Sequence, residues 1–284
     1  MKHRKGQLEM VITDLDGTLL PIDGSVSSTD FRTLQRLGEW GVCRVIATGR
    51  SLFSAKKVLP DDFPIDYLIF SSGSGILDWH EKKLLFSKNL TEEETARIAH
   101  ILIMEETDFM LHKPIPENHR FLYYKTGADN PDFGRRCAFY QDFISPLESE
   151  FGIWKTGVGC QFVAIIPQNL SKFESIKNRL GDYQVIRATS PLDGKSIWIE
   201  VLPKRVSKGS SADRLCRMLG KDPARTVAIG NDYNDVDLLD WAGMGVMVEN
   251  APEELKRNFY VTSHTERSGF TGAVFFAENR KDWL

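Results

Sequence analysis

The chain has 284 residues, 42% hydrophobic and 26% charged, with a formal net charge of −3 at pH 7. That apolar content suits one large or two medium cores, and the slightly acidic balance argues against a broad polyanion-binding surface, so nucleic acid is not an expected partner. No apolar run approaches the roughly 20 residues needed to span a bilayer, and the basic start "MKHRKGQLEM" has no apolar signal core behind it; no membrane contact and a cytoplasmic location are the expectation.

The first element is "MVITDLDGTLL", residues 10–20. Val11 and Ile12 read as a buried strand, so Asp14 and Asp16 fall where it runs out, with both carboxylates able to start on one face. Two like charges this close are unfavourable unless a cation or a proton lies between them. "SSTDFRTLQRLGEW" then places Phe31, Leu34, Leu37 and Trp40 at helical spacing behind Ser/Thr/Asp caps, and Gly41 stops it. "VCRVIATGR" is a second strand, ending at Thr48, Gly49 and Arg50, and "DYLIFSSGSG" a third. Strand, helix, strand with short connections predicts a parallel α/β sheet, whose ligand sites lie beyond the strands' carboxyl ends.

The middle of the chain differs. "TEEETARIAHILIM" is a helix with a capping box at Thr91 and Glu94. Strand-like "DFMLHK" and "RFLYYKT", a helical stretch over 131–143, "CQFVAIIP", the helix "SKFESIKNRL" and the strands "YQVIRA" and "SIWIEVLP" follow. This order predicts a separate α+β layer. From Val206 the α/β rhythm returns: helix "SKGSSADRLCRML", strand "TVAIG", helix "NDVDLLDWA", strand "MGVMV", helix "APEELKRN" and strand "YVTS". The expected organisation is a Rossmann-like parallel-sheet core over 1–88 and 205–284, with an α/β cap inserted at 89–204.

The paired carboxylates suggest phosphoryl chemistry. One can attack phosphorus, splitting a hard displacement into two easier ones, while the other protonates the departing alcohol and later takes a proton from water. Bringing a phosphoryl group to an anionic nucleophile requires Mg²⁺ and a cationic side chain. Asp14 is the candidate nucleophile, Asp16 the acid/base, Thr48 a phosphate donor and Lys208 the cation. "GNDYND", residues 230–235, follows a strand and offers the oxygens a hard cation takes.

"DLDGTLL", "ATGR", "VSKGSSADRL" and "AIGNDYNDVDLL", in this order, resemble the four motifs of the haloacid dehalogenase superfamily phosphatases. "GVMVENAPEELK" followed by "VTSHTERSGFTGAVFF" resembles the C-terminal stretch of its cof-like, sugar-phosphatase branch, whose large cap is inserted between the second and third motifs. The resemblance implies Asp14 as nucleophile and Mg²⁺ ligand, and Asp16 as acid/base with its carbonyl on the metal. It implies Thr48, Gly49 and Lys208 on the phosphoryl group, and Asn234 supporting Lys208 or the phosphate. The fourth motif usually reads G-D-x-x-N-D; here Asn231 stands at its first Asp, so the metal set implied is Asp14, Asp16, Asn231 and, directly or through water, Asp235.

The function expected is a Mg²⁺-dependent phosphatase of a small phosphorylated metabolite, with a sugar phosphate as the leading substrate class. The alternatives are a phosphomutase using the same aspartyl-phosphate, and a phospho-ligand-binding protein without turnover. Taken singly, Thr48 reads equally well as a cap and Lys208 as a surface lysine, and Asp232 and Asp237 as helix N-terminal charges. "GKS" at 194–196 lacks the earlier Gly of a phosphate-binding loop, and Cys43, Cys137, Cys160 and Cys216 read as reduced thiols. In the cap, His112, Lys113, His119, Arg120, Tyr123 and Tyr124 read as packing and solvated charge before substrate contact. Neither the substrate nor the oligomeric state is legible.

Overall fold

The computed structural model describes residues 8–21, 24–150 and 153–279; the basic start over residues 1–7 lies outside them. The chain divides into two compact units, one of Met1–Arg50, Ala55–Phe86 and Ser207–Leu284, the other of Ser51–Ser54 and Ser87–Val206.

The first unit is built on an eight-stranded sheet. In spatial order its strands are Tyr260–Thr262, Met244–Val248, Thr226–Gly230, Met10–Thr13, Cys43–Ala47, Tyr67–Phe70, Gly75–Asp78 and Lys83–Ser87. Pairing is parallel from Tyr260–Thr262 through to Tyr67–Phe70, and Gly75–Asp78 joins antiparallel. Every residue of Met10–Thr13 is buried, as a parallel strand covered on both faces requires. Met10 and Ile12 share one face with Val45, Ile69, Ala228 and Met247, under Ala212 and Leu215 of helix Lys208–Leu219 and Leu238 and Leu239 of helix Val236–Trp241. Each Val, Leu, Ile or Met side chain among them stabilises the fold by roughly 1.5–3 kcal/mol when fully buried.

Helix Gly269–Glu278, for which the apolar run "GFTGAVFF" gave no amphipathic signal, packs on Thr226–Gly230 and Met244–Val248. Helix Ser28–Glu39 packs on it in turn, with Ser27 accepting from the Asp30 N–H. Leu34 and Leu37 are buried as their spacing predicts, but Trp40 is the C-cap and 44% exposed, because the helix ends before its side chain can join the apolar stripe.

The second unit carries a six-stranded sheet in the order Gln184–Thr189, Ile197–Leu202, Gln161–Ile166, Phe109–His112, Phe121–Tyr124 and Ile144–Pro146. All neighbours are antiparallel except the last pair. Helices Glu92–Met104 and Leu170–Arg179 cover one face, contributing Ile98, Leu102, Phe173 and Ile176 beside Phe109, Phe162 and Ile199. Phe133 of helix Pro131–Phe139 lies with Met110, Val163 and Trp198 on the other. Two covered faces explain why "QFVAII" and "IWIEVL" show no alternation: every residue in both is buried. The capping box at Thr91 and Glu94 forms as expected. The helix expected over 131–143 stops at Phe139, where Tyr140 leaves helical geometry at φ −116°, and resumes as a 3-10 turn over Gln141–Phe143. None of the four cysteines is in a disulfide, and among the described residues no helix is long and apolar enough to cross a membrane.

Candidate active site

Three neighbouring parallel strands deliver the candidate residues. The ladder continues one residue past Met10–Thr13, with the Asp14 N–H donating to the Ile229 carbonyl at 2.8 Å. Past Cys43–Ala47 the Thr48 N–H donates to Ile69 O at 2.9 Å. Asp14, Thr48 and Asn231 therefore all leave the sheet at its carboxyl edge, where backbone pairing ends and side chains converge.

Lys208 is the first residue of helix Lys208–Leu219, behind a Ser207–Ser210 capping box. Its side chain is fully buried, and Nζ donates to Asp14 Oδ1 and Asp235 Oδ1, each at 2.7 Å. Burial pushes the Asp14 carboxyl up to about 7; the Asp235 and Asp16 charges push the same way and Lys208 opposes them. Burial alone would lower Lys208, but the two carboxylates outweigh it and hold the ammonium above the usual lysine range. A lysine at 0% exposure is thus a charged member of the cluster, whereas its sequence position alone suggested a surface residue.

Asp235 has both oxygens engaged: Oδ2 accepts the Asn231 and Asp232 N–H groups at 2.9 and 3.1 Å. Gly230 makes room for it, since a Cβ there would meet the Asp235 side chain within 2.5–2.7 Å. Asp235, on the 3-10 turn Tyr233–Asp235, is the residue that supports Lys208; Asn234 is half-buried on the same turn. Asp237 lies in the first turn of helix Val236–Trp241 as an N-terminal charge, and its Oδ2 also accepts the Gly209 N–H at 3.0 Å, fixing the turn that carries Lys208. Burial holds its carboxyl above the usual range.

The loop after Asp14 turns through Gly17 at φ +78°, a left-handed conformation that favours glycine. Its carbonyl accepts from Asn250 Nδ2 at 2.8 Å and from the Thr265 hydroxyl. These two residues come from the C-terminal stretch, and no local pattern tied them to residue 17. Asp16 is held by Arg50, whose Nε and Nη2 donate to its two oxygens at 2.7 and 2.6 Å. Thr48 Oγ1 accepts the Arg50 N–H at 3.1 Å, and Gly49 lies between them, half-buried.

Asn231 completes the cluster. The end of its amide that meets Thr18 Oγ1 at 2.9 Å also lies 3.2 Å from Asp14 Oδ2 and 3.1 Å from the Asp16 carbonyl oxygen. Mg²⁺ binds oxygens at about 2.1 Å in octahedral geometry, which sets adjacent ligand oxygens about 3.0 Å apart. The distances from the amide end to one carboxylate and one carbonyl oxygen are of that size, and with Oδ1 as that end the set fits the ion. Among the described residues no three His, Cys, Asp or Glu side chains gather as a metal-binding group, so the set is one of mixed hard oxygens.

The cap candidates pack within the second unit. His112 is buried, its Nδ1 is 2.7 Å from Asn118 O, and burial pushes its pKa down to about 4. His119 stacks on Phe53 at 4.4 Å between ring centroids, Arg120 lies over the Phe143 ring, and Tyr124 stacks on Phe109. Tyr123 packs against the Phe121–Phe133 cluster, and Lys113 is half-buried. The "GKS" stretch forms the turn before strand Ile197–Leu202, with Asp193 accepting the Lys195 and Ser196 N–H groups.

A parallel α/β sheet with a lysine-bridged carboxylate pair outside its carboxyl edge is the frame of a hydrolase. Residues 11–273 match the family of haloacid dehalogenase-like hydrolases, and the chain belongs to it. It is similar to the 5-amino-6-(5-phospho-D-ribitylamino)uracil phosphatase YwtE of Bacillus subtilis (strain 168), 28% identical over 92% of this chain and 95% of that protein. The solved subclass IIB sugar phosphatase BT4131 shares the fold at a TM-score of 0.75, with 20% identity over 94% of this chain and 98% of that one. BT1666 from Bacteroides thetaiotaomicron, a phosphatase of the same superfamily, does so at 0.78, with 18% identity over 98% and 97%.

Proposed function

We propose that this hydrolase is a Mg²⁺-dependent phosphatase of a small phosphorylated metabolite, a sugar phosphate or a related phosphomonoester, working through an aspartyl-phosphate on Asp14. The observation that carries the reading is Asp14 itself: one oxygen rests on Lys208 Nζ, and the other meets the end of the Asn231 amide that also meets the Asp16 carbonyl oxygen. The YwtE relative, named for a phosphate ester on a ribityl chain, supports a substrate of that size and character.

Asp14 would attack phosphorus as the P–O ester bond breaks, and Asp16 would give its proton to the departing alkoxide. Water then attacks the phosphorus, Asp16 takes a proton from it, and Asp14 is released as a carboxylate with inorganic phosphate. Lys208 offsets negative charge on the nucleophile and the phosphoryl oxygens, while Thr48, the Gly49 N–H and Asn234 supply hydrogen-bond donors to them. Asp16 has to leave its pair with Arg50 to carry a proton, so substrate entry opens that pair. Asp14, the Asp16 carbonyl and Asn231 would hold Mg²⁺, with Asp235 behind them fixing Lys208 and the Asn231 backbone. When bound, the ion supplies positive charge that offsets repulsion between the phosphoryl group and Asp14.

The test is phosphate release from a panel of sugar phosphates, nucleotides and other phosphomonoesters, with Mg²⁺ and with chelator. Release from a subset with Mg²⁺ only, and a fall of roughly 10³-fold or more in a folded Asp14→Asn variant, is the expected result. Undiminished turnover in Asp14→Asn sinks the nucleophile assignment. An isomeric sugar phosphate in place of free phosphate would make the enzyme a mutase.

A further inference from the structure

Asn231 presents one end of its amide to Asp14 Oδ2, the Asp16 carbonyl oxygen and Thr18 Oγ1, and both ends find partners only when Nδ2 is the end turned there. Asp14 Oδ2 and the Asp16 carbonyl oxygen, 3.2 and 3.1 Å from that end, are acceptors. An amide oxygen turned toward them leaves three oxygens facing one another with no proton between. The amide nitrogen turned there donates to both, and to Thr18 Oγ1 at 2.9 Å. The Thr18 hydroxyl suits either orientation, because it donates to the oxygen and accepts from the nitrogen. Thr18 is buried, at 1% exposure, and its hydroxyl is paired with the Asn231 amide.

From this geometry we propose that Asn231 is a reversible amide switch at the cation position. With a divalent cation among the three oxygens, Oδ1 points inward as a ligand; with none, the amide turns half a revolution and Nδ2 takes the cation's place as a hydrogen-bond donor. An aspartate at this position cannot do this, because both its ends are acceptors. It would also set a third carboxylate beside Asp14, whose other oxygen already shares the single ammonium of Lys208 with Asp235. The switch closes the site without metal and makes the ion compete with internal hydrogen bonds, so loading follows the free Mg²⁺ concentration instead of being permanent.

The inference rests on the Mg²⁺ reading above, and the experiment separates the two. Chelator-treated, ¹⁵N-labelled protein is titrated with MgCl₂ while the Asn231 side-chain NH₂ signals are followed, assigned by their loss in Asn231→Asp and checked with Asn231→Ala. Mg²⁺ affinity is measured by calorimetry and melting by fluorescence, with chelator and with Mg²⁺. The expected result is a saturable change in the Asn231 amide signals with Mg²⁺. Asn231→Asp should bind Mg²⁺ at least about tenfold more tightly, melt below wild type in chelator, and gain more from the ion. Mg²⁺ binding that leaves the Asn231 signals unmoved, or an Asn231→Asp variant with wild-type affinity and wild-type melting in chelator, overturns the switch alone. No Mg²⁺ binding by either protein overturns the Mg²⁺ reading and the switch with it.

Discussion

The two units bury carboxylates in opposite ways. In the second unit Asp108 is 3% exposed, and its oxygens are taken by neutral donors: the Thr126 N–H and hydroxyl on Oδ1, Asn130 Nδ2 on Oδ2. In the first unit Asp14 is as deeply buried, yet one oxygen sits on a lysine shared with Asp235 and the other meets one end of the Asn231 amide. A carboxylate saturated by amides and hydroxyls ties loops together. One balanced by a single ammonium it shares with another carboxylate, its second oxygen on an amide that can turn, is poised to take a metal or attack an electrophile. Depth of burial does not separate the two; the partner atoms do.

The largest effect that follows is at Lys208. Lys208→Met leaves Asp14 and Asp235 buried without their counter-charge and is expected to destabilise the first unit by roughly 3–5 kcal/mol in urea unfolding. Adding Asp14→Asn should return part of that stability without restoring turnover. If Lys208→Met is neutral in stability, the buried charges are not coupled as the geometry implies.

His112 gives the second unit its own pH sensitivity. Its folded pKa of about 4 lies below the ordinary histidine value of 6.5, so above pH 6.5 the ring is neutral in both states and contributes nothing. As pH falls from 6.5 to 4 the unfolded chain takes up a proton that the folded unit refuses. The loss of stability reaches about 3 kcal/mol. His112→Gln should flatten that slope; an unchanged slope would place the acid sensitivity elsewhere.

Asp108→Ala is expected to lower stability by about 1–3 kcal/mol, by stranding the Thr126 N–H and the Asn130 amide, with kcat unchanged. A collapse of kcat in a folded Asp108→Ala protein would break the distinction between the two kinds of buried carboxylate. The smallest effect is expected at Arg97–Asp182, whose side chains are 57% and 64% exposed. Charge removal there should move stability by no more than about 0.5 kcal/mol in moderate salt.

Much of the site was legible because the relevant signals are local. An apolar run that breaks into Asp14-x-Asp16-Gly17 marks a strand end, and the same reasoning placed Thr48 and Gly230 at the ends of two other strands. Helix Gly269–Glu278 was not legible, since a helix packed against a sheet with few polar residues carries no amphipathic period. Nor were Asn250 and Thr265, whose hold on the Gly17 carbonyl spans 233 and 248 residues.

By itself the sequence determined which residues end the strands, because strand period, turn glycines and helix caps act over a few residues. Tertiary structure alone decided their pairing. It brought Lys208 onto Asp14 across 194 residues, paired Arg50 with Asp16, put Asp235 under the ammonium and set Asn231 among three oxygens. The reason is physical: desolvation and hydrogen-bond direction depend on what surrounds an atom in space, and at the carboxyl edge of a parallel sheet those surroundings come from strands and helices far apart in the chain.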